Sequence, residues 1–422
     1  MRIFKFGGGS VKDAYGVKQL SHILKLYPEE KLVVVVSAIG KTTNLLESIL
    51  KSGYDSQTNT DHLLSDLEER HYGIVRELSM ENTSLISTLQ IIYRDLRNAL
   101  SSVGQKEYDY HYDQIVSFGE ILSTTIISSY LNQTGISNLW MDARKLIRTD
   151  HSHREAKVDW EISTTSIREQ IEPYLLEKKQ NLIITQGFIG GTIDNATTTL
   201  GREGSDYSAA IFGYALDARE ITIWKDVDGL FNADPKVFPA AVKLDEIPYE
   251  EAIELSYYGA TVIHPKTLQP LQNKQIPLYV KSFFHPEREG TKISAYSSNL
   301  PIPSYIFKNN QLLLSIFPKD FSFITVENLS EIFAILSRYK IQINLMQNSA
   351  LSFSICVDNH PHKIEQALQE LKVNYHTKYN NEVELATIRH YDDDSIRIVL
   401  GEKDVLVEQK NRTTIQMVLK AE

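Results

Sequence analysis

Up to about residue 290, short β-branched or apolar runs alternate with longer amphipathic stretches. That alternation predicts an α/β fold: a mostly parallel open sheet sandwiched by helices. The runs Ile3 to Phe6, Leu32 to Ser37, Leu139 to Asp142, Leu182 to Thr185, Glu220 to Trp224 and Pro277 to Val280 read as its strands. Between them, Leu85, Leu89, Ile92 and Leu96 recur at spacings of four, three and four, which predicts one apolar helix face turned to the core. In such a sheet, ligands gather beyond the carboxyl ends of the strands, so the turns leaving them are where chemistry is to be sought.

The chain has 422 residues, and its 42% hydrophobic and 23% charged content is that of a globular protein with a sizeable core. Its net charge of −10 would be repelled by a phosphodiester backbone, so a nucleic-acid partner is not expected. No apolar run approaches the roughly 18 residues a membrane helix needs, so no membrane span is expected either. The segment MRIFKFGGGS lacks the long apolar stretch of a secretory signal and reads as a cytoplasmic N-terminus. The single cysteine, Cys356, lies among Phe353, Ile355 and Val357 and reads as a small buried hydrophobe in a reducing compartment.

Ser297, Ser298, Asn299, Pro301 and Pro303 form a polar, proline-punctuated stretch that marks a boundary. Residues 1–296 are therefore assigned to the first domain. Beyond it, strand-like Leu312 to Phe317, a helix from Leu329 to Tyr339, strands at Ile341 to Met346 and Leu351 to Val357, a helix from His362 to Leu371 and a strand near Val373 to His376 follow in order. This β-α-β-β-α-β order predicts a ferredoxin-like α+β unit over 309–378. Further strands are expected at Val383 to Tyr391, Asp404 to Glu408 and Thr413 to Leu419.

The strand-ending turns are rich in chemistry. Lys5 runs into Gly7, Gly8, Gly9 and Ser10, where bare backbone N–H groups can approach phosphate oxygens, although glycines also serve ordinary tight turns. The turn Ser37-Ala38-Ile39-Gly40-Lys41-Thr42-Thr43-Asn44 ends like a P-loop, but Val35 stands where that motif requires glycine. Ser37, Thr43 and Asn44 are left as donors to a polar ligand or as helix caps. In Leu200-Gly201-Arg202-Glu203-Gly204-Ser205-Asp206, Arg202 offers a planar fork for a carboxylate, and Asp206 could orient a cation, lie near a metal or cap a helix. The acidic stretch from Lys225 to Lys236 does not match a calcium-loop register and reads as a nucleotide-facing loop or a solvated turn. His151-x-His153 and the Asp109 to Asp113 stretch have polar flanks and read as surface loops.

Taken in order, KFGGGS (5–10), SAIGKTTN (37–44), FGE (118–120), DAR (142–144), TQGFIGG (185–191), LGREGSD (200–206), WKDVDG (224–229), ADPK (233–236) and YGATVIHP (258–265) resemble the aspartate kinases of the amino-acid-kinase fold, essentially along the whole chain. The resemblance implies ATP-dependent phosphorylation of the β-carboxylate of L-aspartate, with Mg²⁺. It implies that Lys5 stabilises the transferring phosphoryl group and that Asp206 holds Lys5. Ser37, Thr43, Glu120, Phe188, Arg202 and Ser205 would surround aspartate, with Arg202 on its α-carboxylate and Glu120 on its α-ammonium or the hydrogen-bond network around it. Lys5, Gly7, Gly8, Gly9, Ser10, Lys225, Asp226, Phe231, Lys236 and Thr261 would face the nucleotide.

The chain departs from the commonest pattern at Gly9, Glu203, Phe231, Lys236 and Thr261, where threonine, glycine, tyrosine, arginine and lysine are frequent. Lys225 is expected to supply the charge that Thr261 does not. The C-terminal region resembles ACT regulatory domains: one over 309–378, and an abbreviated second from 302–308 with 379–422, which would join chains as a homodimer, with a tetramer as the alternative. Asn344, Ser349 and Ala350 fall at effector positions, and Glu327 where a glycine often begins the helix. Lysine-sensitive relatives present carboxylates there, so feedback by lysine is expected to be weak. A glutamate-type kinase and a catalytically silent amino-acid sensor are the competing readings.

Overall fold

The computed structural model describes residues 1–54, 59–80, 82–177, 181–260, 263–296, 301–320 and 322–420. The chain divides into two compact units. The first comprises Met1–Leu230, Lys243–Ile253 and Ile263–Ser298; the second comprises Phe231–Val242, Glu254–Val262 and Asn299–Glu422.

An eight-stranded sheet organises the first unit. From one edge to the other its strands are Glu246–Pro248, Thr291–Ser294, Leu278–Ser282, Glu220–Lys225, Arg2–Phe6, Leu32–Val36, Leu182–Gln186 and Leu139–Met141. All neighbours run parallel except Leu278–Ser282 against Thr291–Ser294. Helices cover both faces, which is why Leu32–Val36 is five consecutive apolar residues and all five are buried. Burying each such side chain contributes about 1.5–3 kcal/mol.

On one face, Phe4, Phe6, Val34, Val36 and Trp224 pack with Val17, Leu20, Leu46, Ile49, Leu122 and Ile126 from the helices Ala14–Lys25, Thr42–Tyr54 and Phe118–Gln133. On the other lies the helix Gly204–Ala215, which has no Cβ at Gly213; one added there would come within 2.5 Å of Ile221. The predicted stripe of Leu85, Leu89, Ile92 and Leu96 is the buried face of the helix Thr83–Ser101. Among the described residues no helix is long and apolar enough to cross a membrane.

The second unit holds a six-stranded antiparallel sheet in the order Ile343–Asn348, Phe353–Asp358, Ser304–Pro318, Tyr375–Arg389, Thr414–Lys420 and Val405–Lys410. Helices Val326–Arg338 and Pro361–Asn374 pack Ile332, Ile335, Leu336, Leu368 and Leu371 on Leu312, Leu314 and Ile316, completing the expected β-α-β-β-α-β order. A second core gathers Tyr305, Ala386, Ile388, Val399, Ile415 and Met417, with Val399 supplied by the helix Asp393–Leu400. The strand expected to begin near Val373 starts at Tyr375, because the preceding helix runs on to Asn374. Cys356 is fully buried, and desolvation pushes its thiol up to about 12, so it is an inert hydrophobe as its neighbours predicted.

Candidate active site

Parallel register brings the informative turns to one edge of the sheet. Phe6 pairs with Val36 and Trp224, and Val36 with Gln186, so the chain leaves four adjacent strands side by side at residues 7, 37, 187 and 226. The turns then interlock through their missing side chains. A Cβ at Gly8 would lie 2.4 Å from the Ala38 carbonyl oxygen, and the Gly40 N–H donates to the Gly8 carbonyl at 3.0 Å. A Cβ at Gly187 would collide with Ser205 at 2.6 Å, which seats the LGREGSD turn against the end of the Leu182–Gln186 strand.

At the centre is a buried ion pair. Lys5 Nζ lies 2.6 Å from Asp206 Oδ1, and Lys225 Nζ lies 4.0 Å from Asp206 Oδ2. Burial alone would raise the Asp206 carboxyl, but Lys5 and Lys225 outweigh it and hold the group below its ordinary range. Asp206 therefore neither caps the Gly204–Ala215 helix nor stands free for a metal; Glu203 is the N-cap residue, and its side chain does not cap. The Lys5 ammonium lies beneath Gly7, where an added Cβ would be 3.4 Å away, while the space over Gly9 is open. Ser10 is buried, with its Oγ 3.5 Å from the Trp224 carbonyl oxygen.

Glu120 forms a second polar centre. It is buried on the helix Phe118–Gln133; its Oε1 accepts the Ala38 N–H at 3.2 Å, and its Oε2 has no hydrogen-bond partner among the described residues. Desolvation pushes this carboxyl up to about 8. Among the described residues Ser37 and Thr43 make no side-chain hydrogen bond; the hydroxyl that serves the local turn is that of Thr42, donating to the Ile39 carbonyl at 2.6 Å. Ser205 is buried beneath Gly187, and Phe188, at φ 69°, donates its N–H to Ser208 Oγ at 2.9 Å. Arg202 is exposed, and no described group holds its guanidinium. The set can thus offer a neutralising ammonium and open backbone to phosphate, a free guanidinium to one carboxylate and a desolvated acid to an amine.

Other expectations fall elsewhere. Asp226 is exposed, and Asp228 pairs with Arg288 rather than forming part of a cation loop. Phe231 and Lys236 belong to the second unit, and Thr261 lies outside the described residues. In the second unit, Asn344 accepts from Lys308 Nζ at 2.8 Å and donates to Gln311 and Asp358, while Ser349 pairs with Ser352 at 2.7 Å. The Ala350 carbonyl accepts the Ile324 N–H at 2.9 Å. Among the described residues, no group of three or more His, Cys, Asp or Glu side chains could hold a metal.

The expected surface loop at 109–113 is instead part of the helix Tyr108–Val116, with Asp113 buried. Asp113 accepts from Thr199 Oγ1 at 2.6 Å and from the Arg154 N–H at 3.0 Å, and contacts His153 Nδ1 at 3.0 Å. These contacts brace the strand Thr197–Thr199 that leads into LGREGSD. Sequence reasoning missed this role because the three partners lie far from Asp113 along the chain. His151, in contrast, is exposed beside Asp194, as expected of a loop.

A glycine-rich turn over a buried lysine, at the carboxyl edge of a parallel sheet, is the arrangement expected of a small-molecule kinase of the α/β class. Residues 1–282 match the sequence model of the amino acid kinase family. Aspartokinase 2, chloroplastic, of Arabidopsis thaliana is 32% identical over 377 residues, covering 84% of this chain and 66% of that protein. Lysine-sensitive aspartokinase 3 of Escherichia coli is 33% identical over 365 residues, covering 84% of this chain and 78% of that protein. The fold superposes on Escherichia coli aspartokinase III in complex with lysine and aspartate (TM-score 0.85, 27% identity, 99% of this chain and 95% of that one) and in complex with aspartate and ADP (TM-score 0.83). The chain belongs to the amino acid kinase family, in its aspartokinase branch. It spans about two thirds of the length of the Arabidopsis relative.

Proposed function

We propose that this protein transfers the γ-phosphoryl group of ATP to the β-carboxylate of L-aspartate, giving 4-phospho-L-aspartate and ADP. The observation that carries this reading is the buried Lys5–Asp206 pair set beneath the glycine turn, with the turn that carries Arg202 seated on Gly187 and a Glu120 oxygen left without a described partner next to Ala38. Arg202 grips the α-carboxylate and Glu120 receives the α-ammonium, which leaves the β-carboxylate directed at phosphorus. Ser37, Thr43, Phe188 and Ser205 complete the aspartate pocket.

One β-carboxylate oxygen forms a bond to the γ-phosphorus while the bond from that phosphorus to the bridging oxygen breaks, and the electron pair leaves with ADP. The attacking oxygen is already anionic, so no general base is needed, and the protein contributes alignment and charge stabilisation. Lys5 neutralises charge on the moving phosphoryl group; Asp206 fixes the Lys5 ammonium and, through Lys225, a second positive charge. Gly7 to Ser10 approach the phosphates by backbone, and Asp226, Phe231, Lys236 and Thr261 belong to the nucleotide side. Mg²⁺, bound with the triphosphate, would offset the charge of its oxygens.

Residues 1–296 form the catalytic domain, 309–378 an ACT domain, and 302–308 with 379–422 an abbreviated second one. The protein works in the cytoplasm as a homodimer joined through these regulatory domains. Asn344, Ser349 and Ala350 mark the effector position; with Asn344 occupied by Lys308 and no carboxylate at 344 or 350, free lysine is a poor effector. Trapping the acyl phosphate with hydroxylamine tests the reaction. Hydroxamate is expected with ATP and aspartate and not with ATP and glutamate; the reverse preference would overturn the assignment.

Glu120 adds a dependence on pH. Its carboxyl is raised from 4.5 to about 8, so the ligand-free native state holds a proton that the unfolded chain has lost. Through that window the ligand-free fold loses stability as pH rises. Binding an ammonium group expels the proton, so aspartate affinity is expected to tighten by up to about tenfold per pH unit toward pH 8 and then level off. In Glu120→Gln, equilibrium binding should be weaker and nearly flat across this range; a slope equal to that of the wild type would assign the proton elsewhere.

A further inference from the structure

Glu203 stands where this family commonly has glycine, and its backbone is left-handed, at φ 54° and ψ 26°. Only glycine adopts that conformation without strain, so a glutamate there needs a compensating contact. The contact is present: Glu203 Oε2 accepts the His264 backbone N–H at 2.9 Å. His264 is the N-cap of the helix Pro265–Lys274, where a negative charge is favoured. Two residues on, Lys266 reaches back over the Tyr207 ring, 4.7 Å from its centroid, and donates from Nζ to the Leu200 carbonyl at 3.1 Å. The start of one helix therefore grips the LGREGSD turn at both Leu200 and Glu203, with Arg202 between them.

We propose that Glu203 is a positioning residue for aspartate: through His264 it locks the turn that presents Arg202 and Ser205, a clamp that a glycine at this site cannot make. The inference rests on the reading of that turn as the aspartate site. Arg202 itself has no described partner, so the direction of its guanidinium depends on the backbone that carries it. The clamp acts on ground-state binding rather than on phosphorus.

Glu203→Gly removes the whole side chain but relieves the left-handed strain, which offsets that loss, and a thermal melt of the variant checks that the fold is kept. Its aspartate KM is expected to rise roughly tenfold with kcat and the ATP KM little changed, the pattern of a lost binding contact. Glu203→Gln keeps an acceptor oxygen and should restore the aspartate KM to near wild type. An unchanged KM in Glu203→Gly, or equal defects in both variants, would overturn the clamp. Amide hydrogen exchange at His264 gives a readout independent of turnover: protection should fall in Glu203→Gly and persist in Glu203→Gln. If the wild type shows no aspartate-dependent turnover, the functional reading fails, while the exchange pattern still decides whether the clamp exists.

Discussion

Replacing Lys5 with alanine is expected to lower kcat about a thousandfold, the scale on which a preorganised charge at a developing anion acts. The ammonium is buried and aimed by a 2.6 Å contact with Asp206, so no solvent cation can take its place at comparable cost. The aspartate KM should move little, because the α-amino-acid end of the substrate is gripped elsewhere. The fold should suffer as well: the variant leaves the Asp206 carboxylate with Lys225 alone at 4.0 Å, and an under-compensated buried carboxylate is destabilising. Coupled spectrophotometric assays with a thermal melt on the same sample separate these effects. A Lys5→Ala enzyme with kcat within about tenfold of wild type would remove lysine from the phosphoryl-transfer step. Lys225→Met should act more mildly, raising the ATP KM or lowering kcat.

Arg202→Ala carries the other large effect. A bidentate, charge-assisted carboxylate contact contributes about 2–3 kcal/mol, so the aspartate KM should rise roughly 30- to 150-fold with the ATP KM nearly unchanged. The guanidinium is exposed and makes no described internal contact, so its removal should leave the melting temperature within a degree or two of wild type, roughly the scale of a neutral surface change. Arg202→Lys should recover only part of the binding, since an ammonium cannot fork onto two oxygens. Isothermal titration with aspartate, in the absence of nucleotide, measures this directly; affinity retained in the alanine variant would move the α-carboxylate to another group.

The sheet was legible because its strands are buried on both faces and so read as short, largely apolar runs: the expected Leu32 to Ser37 and Leu182 to Thr185 each differ by one residue from the strands Leu32–Val36 and Leu182–Gln186. The site was legible where glycine is required by close approach, as at Gly8 and Gly187, since a backbone that cannot tolerate a Cβ leaves a fixed letter in the chain. Other features left no such letter. Phe188 and Glu203 both take left-handed backbone, which nothing in a bulky or acidic residue announces. Asp113 looked like part of a polar loop because burial of a carboxylate is licensed by donors at Thr199 and Arg154, far along the chain. The long strand Ser304–Pro318 read as two pieces, Leu312 to Phe317 and the segment 302–308 that was expected to join the residues after 379, since Asn309 and Asn310 interrupt the pattern at its exposed middle.

That strand and Tyr375–Arg389 are each fifteen residues long and pair along their lengths, with register shifts around Gln311. Their early and late portions serve different packed cores, one beneath Val326–Arg338 and Pro361–Asn374, the other beneath Asp393–Leu400. Withdrawing either ribbon would strip apolar partners from both helical roofs at once, so the two cores are coupled through shared backbone. The two lobes share a skeleton, and the irregular register around Gln311 is the one place along it where a disturbance in one lobe can be absorbed before it reaches the other.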